Sequence, residues 1–162
     1  MRKLLLSSTT LALALVGSVQ AHHEGEIVKA GDLIVSHAWM HENAGTAHSS
    51  AVYLTIDNQG DEADRLIAAE VDFAHRVAFQ AQTVDAEGVL EVRDLAAIKV
   101  NPGQVLTLKP SVVWIELESV QQTFLEGDHF DMTLTFENAG TVEIEVEIEP
   151  LDEHEHDDED VS

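Results

Sequence analysis

The sequence contains no cysteine and few basic residues, and each shortage excludes a class of structure or function. Without cysteine there are no disulfides and no thiol nucleophile, so a packed core must stabilise the fold. Eight Lys and Arg residues stand against 31 Asp and Glu, which gives a formal net charge of −23. Such a chain repels nucleic acid and anionic lipid surfaces and attracts cations, metal ions among them. The same acidity also keeps a protein soluble.

Long apolar runs are also scarce, because only residues 4–16 form one. Two basic residues precede this run, and the short side chains of the segment 19–21 follow it, where a signal peptidase reads. These features predict a secretory signal peptide over residues 1–21, with His22 as the mature N-terminus. The run is too short for a comfortable transmembrane helix, and no cysteine follows it to accept a lipid. We expect a soluble protein exported to the periplasm, without membrane insertion after signal cleavage.

Alternation of apolar and polar residues runs through nearly the whole mature sequence. In "TVEIEVEIE", residues 141–149, four β-branched residues face one way and four glutamates face the other. Similar short runs are separated by turn signals such as "NQGD", "NPGQ" and "NAG", and no segment after the signal has helical periodicity. This pattern predicts an all-β domain over residues 22–150, an antiparallel sandwich or barrel of about eight or nine strands. An acidic, disordered tail is expected over residues 151–162.

Four motifs follow one another in a characteristic order. They are "AVYLTIDNQGDEADRLIAAE", "HRVAFQ", "VNPGQVLTLKP" and "LEGDHFDMTLTFENAGTVEIEVEI", and together with flanking residues they cover about residues 33–148. In this order the motifs resemble the PCu(A)C family of periplasmic copper chaperones. The resemblance implies a cupredoxin-like β-barrel that binds copper and passes it toward cytochrome oxidase assembly.

The resemblance also implies where the family's Cu(I) site would lie, and this chain lacks the ligands there. The first histidine of the family pattern falls on Gln80, the methionine on Val92 or the nearby Leu90, and the His-x-Met pair on Trp114 and Glu116. Imidazole and thioether donors suit Cu(I), whereas the side chains found at these positions do not. We therefore expect that the standard site has been replaced.

Histidines gather instead in "SHAWMHENAGTAHSS". In an extended strand His37 and His41 share one face with Trp39, and a turn beyond the strand would bring His48 back toward His41. Met40 points to the opposite face of a regular strand, but a loop conformation would bring its thioether to the same site. We predict a metal site from His37, His41, His48 and Met40. The alternative is that these histidines simply solvate the strand ends.

Signal cleavage after Ala21 would expose His22 at the N-terminus, followed by His23. An N-terminal histidine chelates a metal through its α-amine and its own Nδ1, and a second imidazole completes a T-shaped set of three nitrogens, a histidine brace. Planar nitrogen ligands favour Cu(II) over Cu(I), and both kinds of nitrogen can release their protons to a metal near neutral pH. His41 or His48 is expected to supply the second imidazole. The alternative is a terminus with incidental histidines.

The C-terminal segment "DEHEHDDED" adds His154 and His156 among acidic residues. Segments of this composition gather divalent ions weakly and can feed a tighter site. We predict that these two residues and His23 are auxiliary metal ligands. The alternative is a solvated acidic tail without a binding role.

The sequence thus predicts an exported copper-binding protein, a copper chaperone or metal-handling protein with a histidine-based site. An enzyme is not expected, because a thiol nucleophile and a Gly-x-Ser-x-Gly motif are both missing and the carboxylates alternate with core residues. The expected partners are the copper ion and a copper-accepting membrane oxidase or its assembly factors. The alternative function is that of an interaction domain that keeps the fold but has lost metal binding.

Overall fold

A computed structural model describes residues 26–43 and 49–151 of the chain. All regular secondary structure in these residues is β-strand, as the alternating pattern predicts, and none of them forms a helix that could span a membrane. The strands are β1 Val28–Ala30, β2 Leu33–His41, β3 Ser49–Asn58, β4 Asp64–Glu70, β5 Arg76–Val84, β6 Leu90–Leu95, β7 Ile98–Val100, β8 Val105–Thr107, β9 Val113–Glu118, β10 His129–Phe136 and β11 Gly140–Glu149.

The ends of the chain are not part of this description. The predicted signal peptide over residues 1–21 lies outside the described residues, and so does the predicted tail over residues 151–162 except for its first residue. The boundaries proposed for these two segments therefore stay predictions.

The described strands form one sheet in the order β6-β5-β9-β3-β2-β11-β10-β4-β7, with β1 added to β2 and β8 added to β3. The sheet curls until β4 and the start of β5 face each other across a cleft bounded by Ile67 and Val77, which makes a nearly closed barrel. The all-β, barrel-like class predicted from the sequence is confirmed. The expected eight or nine strands were too few, because β1, β7 and β8 have only three residues each and are too short to show alternation.

Strand β2 is paired along both of its edges. One edge pairs antiparallel with β3, while the other pairs antiparallel with β1 and, farther along, parallel with β11. The parallel pairing joins Glu147 to Trp39 and Glu149 to His41, and it corrects the expectation of a wholly antiparallel sheet. Its direction follows from the hairpin that holds β11 antiparallel to β10, because closure of the barrel then brings β11 beside β2 in the parallel sense.

A β-bulge at His37 divides β2 into two halves. Ser36 pairs with Thr55 but Trp39 pairs with Tyr53, so β2 contains one residue more than β3 between these pairs. His37 has a φ of 51°, a value that is uncommon outside glycine. A bulge of this kind exchanges the two faces of the strand that follows it. The buried residues are odd-numbered before the bulge and even-numbered after it: Leu33, Val35, Ala38 and Met40.

The core is filled by the inward-facing residues of these strands. Ile144, Val146 and Ile148 of β11 are buried while the glutamates that alternate with them face outward, as the alternation in the sequence predicts. Phe73, Phe124 and Phe130 pack together, with ring centroids 4.9, 4.9 and 5.1 Å apart. Burial of these apolar surfaces is the main source of stability in a domain that has no disulfides.

The buried carboxylate of Asp64 links two parts of the chain. Its Oδ1 accepts hydrogen bonds from the backbone N–H groups of Arg65 at 2.7 Å and Asn138 at 3.0 Å, and its Oδ2 accepts one from Ala139 at 2.8 Å. Hydrogen bonds to an ionised acceptor are stronger than neutral ones, and Asp64 is only 5% exposed. The side chain therefore joins the start of β4 to the turn between β10 and β11.

Replacing Asp64 by Ala should lower the free energy of unfolding by about 3 kcal/mol, because three backbone N–H groups would lose their acceptor. Urea unfolding followed by circular dichroism measures this loss. Asp61→Ala removes an exposed carboxylate from the preceding loop and is the matched control, which should change stability by less than about 0.5 kcal/mol. Equal losses in the two variants would contradict the role of Asp64.

Candidate metal site

The imidazole of His41 lies at the end of β2, on the outer face of the barrel. Its Nδ1 is 3.0 Å from the carbonyl oxygen of Pro150, and its ring meets the indole of Trp39 edge-on with the centroids 4.9 Å apart. A carbonyl oxygen can only accept, so Nδ1 carries the proton of this bond, and in the neutral form of the ring Nε2 is the nitrogen with the lone pair. Metal-binding histidines are usually oriented in this way, with one ring nitrogen held by a backbone carbonyl and the other free for the metal.

Trp39 also contacts an aromatic residue of β3. It packs on Tyr53, with ring centroids 4.5 Å apart and an angle of 42° between the rings. The two residues meet because they are partners in the register of β2 and β3. Burial, and to a lesser extent the negative charge of Glu116, raises the pKa of the Tyr53 hydroxyl above its ordinary value, so the phenol stays neutral at physiological pH.

A pocket of about 210 Å³ opens beside His41. The end of β2 is fixed there by Asn43, whose side chain accepts a hydrogen bond from the N–H of Phe124 at 2.6 Å and donates one to the carbonyl of Gln122 at 3.2 Å. The chain between Asn43 and Ser49 lies outside the described residues, although both of these residues line the pocket. The full lining is His41, Glu42, Asn43, Ser49, Ser50, Ala51 and Tyr53.

His37 and Met40 are placed differently from the expected single face. His37 is exposed at the bulge, with its Nδ1 3.1 Å from the Oγ of Ser36, so only Trp39 and His41 keep the predicted i, i+2 relation on a regular strand. Met40 belongs to that strand and not to a loop, and it is 0% exposed. Its thioether therefore lies in the core, on the side of the sheet opposite the His41 ring.

The remaining predicted ligands lie outside the described residues: His22, His23, His48, His154 and His156. Within residues 26–43 and 49–151, no three His, Asp or Glu side chains lie close enough together to hold a metal ion. His41 is thus a single anchored imidazole. A tight site built on it needs donors from the segments that are not described.

The positions that the family resemblance assigns to Cu(I) ligands lie on β5, β9 and β6, with Gln80 on β5, Trp114 and Glu116 on β9, and Val92 or Leu90 on β6. Gln80 is the register partner of Trp114 on one side and of Asp94 on the other. The side-chain amide of Gln80 donates to Asp94 Oδ1 at 3.0 Å, and the indole N–H of Trp114 donates to Glu116 Oε2 at 2.8 Å. These polar groups form two separate hydrogen-bonded pairs, and none of these four side chains is an imidazole or a thioether.

Arg76 extends this hydrogen-bonded group across three strands. Its Nη2 donates to Asp94 at 2.6 Å, and its Nη1 is paired with Glu118. The hydrogen bond from Arg76, with a smaller contribution from Gln80, holds the pKa of Asp94 below its usual value. The same two carboxylates raise the pKa of Arg76. The network joins β5 to both of its neighbours, β6 and β9.

Three groups around His41 were missed by reasoning from the sequence: Tyr53, Asn43 and the carbonyl of Pro150. Each acts through a partner that is remote along the chain, and 109 residues separate His41 from Pro150. The alternation in "AVYLTIDN" indicates a strand, but the register that sets Tyr53 against Trp39 depends on the bulge. Only the folded sheet shows these contacts.

Comparisons with known proteins agree with this architecture. The model of the LpqE-like family, described as "Putative lipoprotein LpqE-like", matches residues 33–148. The apo PCuAC domain from PmoF1 is 26% identical with a TM-score of 0.67, covering 78% of this chain and 100% of that chain. The copper-bound PCuAC domain from PmoF2 is 25% identical with a TM-score of 0.66, covering 78% and 99%.

A more distant solved structure supports the fold alone. Apo-DR1885 from Deinococcus radiodurans is 17% identical with a TM-score of 0.58, covering 94% of this chain and 99% of that chain. No curated protein matches the chain.

The Arg76 network predicts the titration of Asp94. Carboxyl-carbon NMR should show Asp94 titrating below the ordinary aspartate range, and Arg76→Gln should move its midpoint upward, because the larger stabilising hydrogen bond is lost. Arg65→Gln removes an exposed guanidinium from β4 and is the matched control, which should leave the Asp94 midpoint in place. An Asp94 midpoint that does not respond to Arg76→Gln would contradict the network.

Proposed function

The chain belongs to the LpqE-like family, and from this premise we propose that it is an exported copper-binding protein that acts as a copper chaperone. The resemblance to PCu(A)C proteins predicted from the sequence is confirmed by the family match and by the solved PCuAC domains. One of these domains is described as copper-bound, and the family description as a lipoprotein supports export. Copper is then cargo, and no catalytic step is assigned to the protein.

The observation that carries this proposal is the orientation of His41. Its Nδ1 is held by the Pro150 carbonyl, which leaves Nε2 as the nitrogen that could bind a metal on the outer face. The ring is supported by Trp39, so little side-chain freedom remains to be lost when a metal binds. We take His41 as the fixed imidazole of the copper site.

The other donors in this proposal come from the mature N-terminus. His22 supplies its α-amine and its Nδ1, and His41 completes the T-shaped set of a histidine brace. The number of residues permits this closure, because Val28 is the partner of Val35 on β2, six residues before His41, and six residues also separate His22 from Val28. Since β11 pairs with the same edge of β2 beside His41, the segment would have to pass over β11 to reach the ring. Six extended residues span at most about 20 Å, and the part of β2 from Val35 to His41 is about 17–20 Å long. The segment 22–27 would therefore have to be almost fully extended.

A site of this composition favours Cu(II). Its donors are nitrogens, and the thioether of Met40 lies in the core. The standard Cu(I) positions at Gln80, Trp114 and Glu116 carry no soft donor, and their polar groups are already paired. The proposed protein thus keeps the family fold and binds copper at the end of β2.

Further histidines remain as candidate donors in this scheme. His48 directly precedes Ser49, which lines the pocket beside His41, and it is the alternative source of the second imidazole. His37 lies four residues before His41 and is exposed at the bulge, where it could serve a second ion. His23, His154 and His156 are proposed as auxiliary ligands.

We propose in addition that the protein delivers copper to another protein. The protein would work in the periplasm and pass the ion to a copper-accepting membrane oxidase or its assembly factors. The tail begins beside the site, because the Pro150 carbonyl contacts His41 and the Leu151 N–H is 3.4 Å from Glu42 Oε1. Its histidines and carboxylates would raise the local concentration of metal ions near His41.

The mature, untagged protein should bind about one Cu(II) ion, more tightly than it binds Cu(I), because nitrogen donors outnumber sulfur donors. Competition against a Cu(II) chelator and a Cu(I) chelator measures both affinities. Equal or stronger binding of Cu(I) would refute the nitrogen site. Failure to bind either ion would favour an interaction domain that retains the fold without the metal.

Adding one Gly before His22 should weaken Cu(II) binding at least ~10-fold, because the amine would no longer share a chelate ring with its imidazole. His41→Ala should cause a similar loss, and the paramagnetic resonance spectrum should change in both variants. His75→Ala removes an exposed histidine elsewhere and Gln80→Ala alters the family position, so these two controls should bind like the unmodified protein. If the Gly-extended protein also binds normally, the amine is not a ligand.

The position of the bound ion can be read separately, since the protein has two tryptophans. Cu(II) at His41 should quench Trp39 strongly, because the two rings are in contact, and should quench Trp114 less. The variants Trp114→Phe and Trp39→Phe isolate the two signals. Deleting residues 24 and 25 should reproduce the loss seen with the Gly extension, because four residues span only about 14 Å, while replacing both by Ala should not.

A further inference from the structure

Strand β6 forms one end of the described sheet. It pairs with β5, and among the described residues its other edge has no partner. An exposed strand edge presents unpaired backbone N–H and C=O groups that can pair with another strand. The edge is therefore open to addition of a further strand.

Apolar side chains cover the surface beside this edge. Leu90 pairs with Val84 and Val92 pairs with Gln82 across β5 and β6, and the Gln82 N–H bonds to the carbonyl of Val112. All the apolar members of this patch therefore lie on one face of β9, β5 and β6, next to Trp114. Their exposures are 63% for Val84, 63% for Leu90, 54% for Val92 and 45% for Val112.

The charges along β6 favour one particular partner strand. The sequence "LEVRDL" places Glu91 and Arg93 on either side of Val92, and the two side chains are paired at 2.6 Å within one chain. A second copy related by a two-fold axis perpendicular to the sheet must pair residues that face the same way. An axis through Glu91 or Arg93 would place two like charges opposite each other, which is destabilising. An axis through Val92 places Glu91 opposite Arg93 of the second copy, twice.

We propose that β6 is a self-association edge, at which two copies of this chain pair antiparallel about Val92 into a continuous sheet. In this dimer Val92 packs against its own counterpart, and Leu90 lies diagonal to Val92 of the other copy. Each Arg93 gains a second carboxylate partner. The symmetry is closed, so the contact stops at two copies.

The dimer is of the weak, exchanging kind. The paired segment is a single six-residue strand, which is small beside the interfaces of permanent dimers. The net charge of −23 also repels a second copy, so association should strengthen as salt screens that repulsion. The inference does not rest on copper binding, because β6 is separated from β2 by three intervening strands, roughly 19 Å along the sheet.

Sedimentation of the mature, metal-free protein from micromolar to submillimolar concentration tests the proposal. A monomer–dimer equilibrium is expected, and Arg93→Glu should weaken it at least ~10-fold by placing carboxylates opposite each other. The double variant Glu91→Arg with Arg93→Glu should restore the dimer, since it reverses both charges and keeps the net charge. Arg65→Glu changes the net charge as Arg93→Glu does, but on β4, and should leave the dimer intact. A protein that stays monomeric throughout, or a dimer unaffected by Arg93→Glu, would overturn the proposal.

The absence of cysteine allows a direct test of the register. Val92→Cys introduces a single thiol that faces its counterpart across the axis, at a Cα separation of about 4.5–5.5 Å that a disulfide can bridge. Mild oxidation should link two copies quickly. Val105→Cys, at a residue of 61% exposure on β8, is the control and should link slowly. Equal rates would show that the two copies do not meet at β6.

Discussion

One extra residue in β2 determines which side chains of that strand reach the outer surface of the barrel. The bulge at His37 reverses the alternation of the strand, so Met40 enters the core while Trp39 and His41 reach the surface. Pairing on both edges of β2 then fixes this arrangement: β3 sets Tyr53 against Trp39, and β11 brings the end of the chain beside His41. Without the bulge the strand would carry its thioether outward and its imidazole inward. The candidate site is therefore a consequence of strand register before it is a matter of ligand chemistry.

The sequence is informative where a strand follows one period from end to end. Strands β10 and β11 alternate without interruption, and the residues predicted to face inward there are buried, except Val142, which is partly buried. The faces of strand β2 could not be predicted in this way. A bulge depends on how many residues of the partner strand lie opposite it, and the sequence of β2 alone does not contain that number. The parallel contact with β11 and the hydrogen bond between His41 and Pro150 are likewise produced by barrel closure. His41 could be chosen as a candidate from the sequence, but its orientation could not.

The two sides of the barrel differ in the side chains that they expose. On β5 and β9 the positions that resemble the family's metal site hold Gln80, Trp114 and Glu116, whose polar groups are hydrogen-bonded to neighbouring side chains. Farther along β5 and β6 the surface exposes apolar Val84, Leu90 and Val92. On β2 an oriented imidazole stands beside an open pocket. Arg76 joins the strands of the first side through carboxylates on both neighbouring strands. The two proposals thus place contacts between chains on one surface of the barrel and the copper ion on another.

The contact between His41 and Pro150 joins residues that are far apart along the chain, so the order in which the chain emerges affects when the contact can form. In the export proposed above, the chain would emerge from its N-terminal end, so the histidines near that end would cross the membrane well before residue 150. Until β11 has added to β2, the His41 ring lacks the carbonyl that selects its tautomer. A partly translocated or C-terminally clipped chain would therefore display imidazoles that are free to rotate and hold ions only loosely. Only the complete barrel therefore holds the His41 ring in the orientation that the proposed metal site requires.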